Sequence, residues 1–283
     1  MDKWTQKESF FEGSKNCRLF FQTWQKPNPK AHILITHGHG EHSECYHRLI
    51  DSFKEDSFSF WAWDLRGHGK SEGRRGYAEA FDDYLNDYIF FLNLAFSQIK
   101  TPIFLLSHSM GGLIQLKTQI LNPNLFTSIQ GQCLSAPLLG LALPVPQWKQ
   151  VGAQYLNQFL PQMTLHNEIS NHDLTRDQDV LKEFDRDPLR HNRMSSGVYL
   201  GMKESIDLVM SRAAEIQLPT FLQISDSDPI VSVTASKEFI EKIHVQPKSI
   251  KLYKDAKHEI FNDIIRSHVF EDLKKNLNSI LIK

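Results

Sequence analysis

The apolar positions along the chain change period several times, and each change marks an element. Residues 18–24 and 32–36 are short runs rich in Phe, Leu and Ile and predict strands. Residues 44–55 carry a helical pattern, and 58–63 (Phe-Ser-Phe-Trp-Ala-Trp) predict a strand ending at Asp64. Across 81–99, Phe81, Tyr84, Leu85, Tyr88, Leu92 and Phe96 recur every three or four residues, the stripe of a long amphipathic helix. Residues 103–106 then predict a strand, 110–121 a helix and 132–135 another short strand. Such alternation implies βαβ units, a mostly parallel central sheet and helices on both of its faces.

The alternation stops at Pro137. From there to about Leu218 no run reads as a strand, short helical patterns follow one another, and three prolines precede Trp148. It resumes with a strand at 220–224, a helix at 235–243, a strand at 249–253 and a last helix near 264–280. The pattern therefore predicts one α/β core made of residues 1–136 and 219–283, with 137–218 inserted as a helical cap.

A chain of 283 residues suits one large α/β domain with an insertion. The formal net charge of -1 offers no basic face for nucleic acid, so no nucleic-acid partner is expected. No run approaches the roughly 18 unbroken apolar residues of a spanning helix. Residues 1–10 are polar and mixed in charge, unlike a secretory signal. Cys17, Cys45 and Cys133 are odd in number and scattered, which predicts structural thiols in a reducing, cytoplasmic setting.

One stretch carries chemistry. Residues 105–112, Leu-Leu-Ser-His-Ser-Met-Gly-Gly, put Ser109 at the turn from a predicted strand into a predicted helix. A strained turn there lifts a hydroxyl above the sheet edge, the layout of a nucleophile elbow, and small neighbours let strand and helix pack closely. Ser107 stands where the usual G-x-S-x-G pattern has its first glycine, and adds a little crowding. A serine at the start of a Gly-rich helix is also a common N-cap, so the motif alone is ambiguous. The run 32–36 leads into His37-Gly38-His39-Gly40-Glu41-His42, a turn of the kind that supplies a second oxyanion donor. The backbone N–H groups of His39 and Met110 are the candidate donors. The three histidines also raise a metal site, but H-E-x-x-H spacing and an evident carboxylate ligand are missing. His37 reads instead as a brace for its turn.

Two aspartates, Asp226 and Asp228, follow the strand at 220–224, where a sheet-edge carboxylate belongs; Asp226 alternatively shapes an Asx turn. His258 lies between the last strand and the last helix and completes the order Ser109…Asp228…His258. A serine hydroxyl is a weak nucleophile, so an imidazole must take its proton while a carboxylate fixes the imidazole's tautomer. A solvated histidine titrates near about 6.5, so activity is expected to rise as pH passes through about 6–7. No nucleotide fingerprint, Walker motif or metal-spaced cysteine set appears, and no cofactor or metal is expected.

These motifs stand with Asp64-Leu65-Arg66-Gly67-His68-Gly69-Lys70-Ser71, His258-Glu259, Leu174-Thr175-Arg176-Asp177 and Asp187-Pro188-Leu189. In that order, over nearly its whole length, the chain resembles the monoacylglycerol lipase and lysophospholipase branch of the serine α/β-hydrolases. The resemblance implies the α/β-hydrolase fold and cleavage of the ester joining one long acyl chain to a glycerol or glycerophosphate-type head group. It favours Asp228 over Asp226 and implies Ser109, Asp228 and His258 as triad, with His39 and Met110 at the oxyanion hole. It carries Glu41 and Phe184 to the substrate's head-group end, and Leu138, Ile169 and Ile230 to an acyl tunnel. Cys45 and Phe184 replace residues that are polar in the family, so weak selection of the alcohol is expected. The 64–71 loop is expected to be structural, with Asp64 and Arg66 in buried polar contacts. The expected partner is a lipid ester. The apolar cap, with Leu138, Leu139, Leu141, Leu143, Val145, Trp148, Tyr155 and Phe159, suits a bilayer or micelle at the inner membrane face as readily as packing on the core. A lysophospholipase, a general carboxylesterase or thioesterase, and a catalytically silent binding module are the competing functions; the oligomeric state is open.

Overall fold

Strands whose side chains alternate between two greasy layers organise the computed structural model, which describes residues 4–281. In β4 (Phe58–Trp63), Trp61 and Trp63 enter one apolar cluster while Phe58, Phe60 and Ala62 enter the other. In β5 (Ile103–His108), Ile103 and Leu105 oppose Phe104 and Leu106 in the same way. This period of two, with both faces buried, is what a central strand covered by helices requires. The first layer is closed by α2 (Asp82–Gln98), α3 (Ser109–Leu121), α7 (Ser196–Ser211) and α8 (Val233–Lys242). The second is closed by α1 (His47–Ser52) and α9 (Arg266–Leu281).

With β1 (Thr5–Glu12), β2 (Arg18–Gln25), β3 (Ala31–Thr36), β6 (Ile129–Ser135), β9 (Thr220–Ser225) and β10 (Lys248–Tyr253), the sheet has eight strands in the order β1-β2-β4-β3-β5-β6-β9-β10. β2 runs antiparallel to β1 and β4, and the remaining neighbours are parallel. The chain steps outward from β3 to β4, then back across β3 to β5. The C-terminal ends of β3 and β5 therefore flank a topological switch point, where open α/β sheets collect their sites.

The α/β-hydrolase architecture is as expected, with local differences. β1 has no counterpart in the pattern because it is an edge strand exposed on nearly every residue. The helix expected at 44–55 begins as a 3-10 turn, Ser43–Tyr46, and continues as only six residues of α1. Between β6 and β9 lie α4 (Gln147–Phe159), α5 (Asn171–Leu174), α6 (Gln178–Arg186) and α7. The same segment holds a two-stranded antiparallel ribbon, β7 (Thr164–His166) with β8 (Arg193–Ser195), where no strand was expected. Three-residue strands are too short to show a period. Among the described residues no helix is long and apolar enough to cross a membrane.

Candidate active site

β5 delivers Ser109 to the switch point in a strained state, with φ at +49° in the left-handed region that side-chain-bearing residues avoid. The strain persists because the elbow is gripped from both sides. A Cβ on Gly38 would sit 3.0 Å from Ser109 Cβ, and one on Gly111 would sit 2.4 Å from the His37 carbonyl oxygen. Ser107, in the place of the usual glycine, is accommodated by giving its hydroxyl a partner. It donates to Gln115, which continues to Gln132 (2.5 Å) and Thr220 (2.8 Å) in a buried polar chain.

At the far side of the elbow, Ser109 Oγ lies 3.0 Å from His258 Nε2, and His258 Nδ1 lies 2.8 Å from Asp228 Oδ2. A carboxylate only accepts, so Nδ1–H donates to Asp228 and Nε2 faces the serine as an acceptor. Asp228 Oδ1 accepts the N–H groups of Ile230 (2.8 Å) and Val231 (2.9 Å). Burial alone would raise the Asp228 pKa, but His258 and those two amides draw it below the usual carboxylate range. Burial likewise presses the His258 pKa down, and Asp228 more than offsets it, leaving the imidazole above its ordinary value. Asp226 instead accepts the Asp255 N–H (3.0 Å) and shapes the neighbouring turn.

The turn after β3 is braced as well. His37 Nε2 accepts the Leu65 N–H (2.9 Å) while Nδ1–H donates to the Gly38 carbonyl (2.7 Å), and burial lowers its pKa to about 3. Glu41 Oε1 receives the Gly38 N–H (2.5 Å) and the Tyr46 hydroxyl (2.9 Å), so it shapes the backbone leading to His39. His42 Nε2 pairs with Asp187 Oδ2 at 2.8 Å, so His37, His39 and His42 do not converge. His42, Cys45 and Asp187 do bring ligand atoms within 4.8 Å of one another. That proximity is accounted for by the His42–Asp187 bond and by Arg190 Nη1 facing Cys45 Sγ at 3.3 Å. Beneath the site, Asp64 accepts the N–H groups of Ser43 and Lys70, and Arg66 forks onto Asp87, the buried polar contacts expected of that loop.

A cavity of about 480 Å³ opens over Ser109 and His258 and is lined also by His39, Glu41, Ile169, Phe184 and Ile230. Leu138 is buried against the elbow, its N–H on the Ser109 carbonyl (3.0 Å), and does not line the cavity. Its side chain belongs to the core layer under α3.

Two residues that the sequence reading left out of the site line it, Glu259 buried and Arg190 half-buried. The Arg190 guanidinium carbon lies 3.7 Å from the Phe184 ring centroid, and the guanidinium pairs with Glu259. Burial opposes ionisation of Glu259, but Arg190 holds it below the usual range; burial, with Glu259 nearby, raises Glu41 to about 7. Glu259 adjoins His258 and was within reach of inspection, whereas nothing in the sequence around Arg190 signals its role.

The wall facing Ser109 is tied to the loop of His258. The His258 N–H donates to Asp173 O (3.2 Å) and the Glu259 N–H to Leu174 O (2.8 Å). Thr175 bonds Asn262 O (2.8 Å), Arg176 pairs with Asp263 (2.5 Å) and Arg266 with Asp177 (2.6 Å).

Comparison with known proteins gives a consistent picture. Residues 27–264 match the family Hydrolase_4, described as serine aminopeptidase, S33. The chain is 31% identical to the monoglyceride lipase of Mus musculus, over 87% of this chain and 81% of that protein. It is 28% identical to phospholipase YtpA of Bacillus subtilis, over 88% and 95% respectively. The crystal structure of Paleococcus ferrophilus monoacylglycerol lipase superposes with a TM-score of 0.80 at 26% identity, covering 98% of this chain and 99% of that one. With 238 consecutive positions matched and the fold shared throughout, the chain belongs to the serine aminopeptidase S33 family of the serine α/β-hydrolases.

Proposed function

We propose that this chain hydrolyses carboxylic esters of single-chain lipids, monoacylglycerol foremost, to a free fatty acid and the alcohol. Ser109, His258 and Asp228 form its triad. The observation that carries the reading is the unbroken relay from the Ser109 hydroxyl through His258 to Asp228, opening on a cavity whose lining includes Ile169, Leu174, Phe184 and Ile230. Ser109 Oγ adds to the ester carbonyl as His258 Nε2 takes its proton. The oxygen that gains charge faces the backbone N–H groups of His39 and Met110. Collapse of the adduct breaks the ester bond, His258 returns the proton to the leaving alkoxide, and water repeats the sequence on the acyl-enzyme. Ile169 and Ile230 flank the acyl chain, with Glu41 and Phe184 toward the alcohol. The Mus musculus and Paleococcus ferrophilus relatives, named as monoglyceride or monoacylglycerol lipases, support the glycerol ester. The relative named a phospholipase keeps lysophospholipid as the second reading.

An acyl-length series tests this. Each buried methylene contributes about 0.8 kcal/mol, so kcat/KM should climb roughly fourfold per CH₂ over the part of the chain that is buried and favour acyl groups beyond about C8. A flat profile, or one that peaks at acetate, would reject the lipid reading.

Residues 137–218 act in this reading as a cap, and α4 as its membrane-facing part. Trp148, Tyr155 and Phe159 on that helix are 70%, 63% and 68% exposed, so they do not serve to pack the cap on the core. Contact at the inner membrane face of a cytoplasmic protein accounts for them, and the unpaired Cys17, Cys45 and Cys133 suit that reducing side. Liposomes should pull down the protein at low salt, and Trp148→Asp should weaken the binding; no binding by the unsubstituted chain would end this part of the proposal.

A further inference from the structure

Residues 187–191, in the segment between β6 and β9, grip the turn after β3. Asp187 accepts from His42 Nε2 at 2.8 Å, and the His191 N–H donates to the Gly40 carbonyl at 3.0 Å. A Cβ on Gly40 would lie 2.3 Å from the His191 carbonyl oxygen, so the two backbones are in close contact. From the middle of this segment Arg190 reaches the other way and pairs with Glu259, the neighbour of His258. We propose that Arg190 is a positioning residue, which spans the oxyanion turn and the His258 loop and holds the imidazole within reach of the Ser109 hydroxyl. The inference rests on the triad reading and is independent of which ester is the natural substrate.

The base needs such a hold. Asp228 fixes the tilt of the ring through Nδ1 but leaves the course of the loop to other contacts. Before His258, Ser225 holds the Ala256 carbonyl (2.6 Å); after it, Ile260 is buried in the second core layer. Between those points the His258 and Glu259 N–H groups donate to Asp173 and Leu174. The Glu259 carboxylate takes Arg190 on Oε1 and Asn262 Nδ2 on Oε2 (2.9 Å). Arg190 thus ties the loop to the same short segment that holds Gly40 and His42, so base and oxyanion turn share one brace. A misplacement of about 1 Å at a reacting centre costs on the order of 100-fold in rate, which makes that brace matter.

A guanidinium suits the task. Nη2 pairs with Glu259 on the loop after β10, and Nη1 faces Cys45 Sγ at 3.3 Å in the 3-10 turn before α1. Its carbon lies 3.7 Å from the ring centroid of Phe184 on α6. A planar fork held on two edges and one face has a fixed place, which an ammonium on a flexible stem does not. The Arg190 and Glu259 side chains are only 9% and 5% exposed. A buried ion pair contributes little net stability over apolar side chains of the same volume, so geometry accounts for this one where stability does not. Arg190 also keeps the Glu259 carboxyl ionised against the cost of burial, and the tie therefore persists at neutral pH.

The test uses p-nitrophenyl acetate, whose acetyl group leaves most of the cavity unfilled. Acylation and deacylation both pass a proton through His258. Arg190→Met should therefore lower kcat about 100-fold and change KM less than about threefold, with the rate of fluorophosphonate labelling falling in step. Arg190→Lys keeps the charge but not the fork, and should recover to within about tenfold of the parent. Arg190→Met combined with Glu259→Gln leaves no buried carboxylate unpaired. It keeps the test readable if the single variant does not fold, and its kcat should stay low. A double variant as fast as the parent would reduce the pair to neutralising Glu259 and overturn the inference. A raised KM with kcat intact in any of the three would put Arg190 on the substrate and overturn it as well. Ser109→Ala as active as the parent would remove the triad reading, and the inference with it.

Discussion

Ser109→Ala should lower kcat by roughly 10⁶-fold while leaving the thermal midpoint nearly unchanged. The side chain contributes one oxygen to a site that is otherwise intact, and alanine meets the same left-handed backbone without new contacts. Covalent labelling by a fluorophosphonate should vanish in the same variant; labelling that survives would remove Ser109 as nucleophile. Asp228→Asn should cost roughly 10⁴-fold, because an amide can donate to Nδ1 and favour the wrong tautomer. The pH profile separates the two roles. His258 works as a base only when neutral, and its pKa is raised by Asp228. Activity is therefore lost as pH falls, with the inflection of kcat/KM above 6.5, the value from which it is raised. In Asp228→Asn the ionised partner is gone and burial dominates, so the inflection should move below that value. A limb unmoved by the substitution would deny Asp228 its electrostatic role.

Gly111→Ala should be a severely damaging conservative change at the elbow itself. The new Cβ would lie 2.4 Å from the His37 carbonyl oxygen, 2.5 Å from that of Thr36 and 2.9 Å from the Thr36 carbonyl carbon. All three are backbone atoms at the end of β3, so relief requires moving the strand or the start of α3. A loss of about 2–4 kcal/mol is expected from such overpacking. Any folded fraction should also lose kcat, since the displaced turn leads to the His39 N–H. Gly112→Ala is the control: its Cβ meets chiefly Pro137 at 3.0 and 3.3 Å, a contact that a small shift of the cap entrance relieves. Urea unfolding of the two variants checks the ranking, and a Gly111→Ala protein as stable as its parent would contradict it.

The legible parts of this molecule are those where burial imposes a pattern. β3, β4, β5 and β9 are buried along their whole length, and short, mainly apolar runs betray such strands. β1 escapes because an exposed edge strand needs no apolar face. Ser109, His258 and Asp228, which the structure joins in one hydrogen-bonded chain, were legible because each follows a strand, and chain order then places each at its strand end. The head-group end was not. The expectation of weak polar selection rested on Cys45 and Phe184, yet Arg190 reaches both from 145 and 6 positions away. A contact made across an insertion leaves no spacing to read. Ser107 is similar, since its partner Gln115 is a polar residue on a buried helix with no motif of its own.

The bonds from Asp173, Leu174, Thr175, Arg176 and Asp177 to the loop around His258 have a consequence for how the roof can change over generations. Those residues are tied to the loop that carries His258, so under the proposed mechanism altering them should perturb proton transfer. α4 has no buried side chain, so substitutions on it should leave turnover untouched. Drift in this lineage should therefore accumulate on the outer helix while the residues tied to the His258 loop are kept.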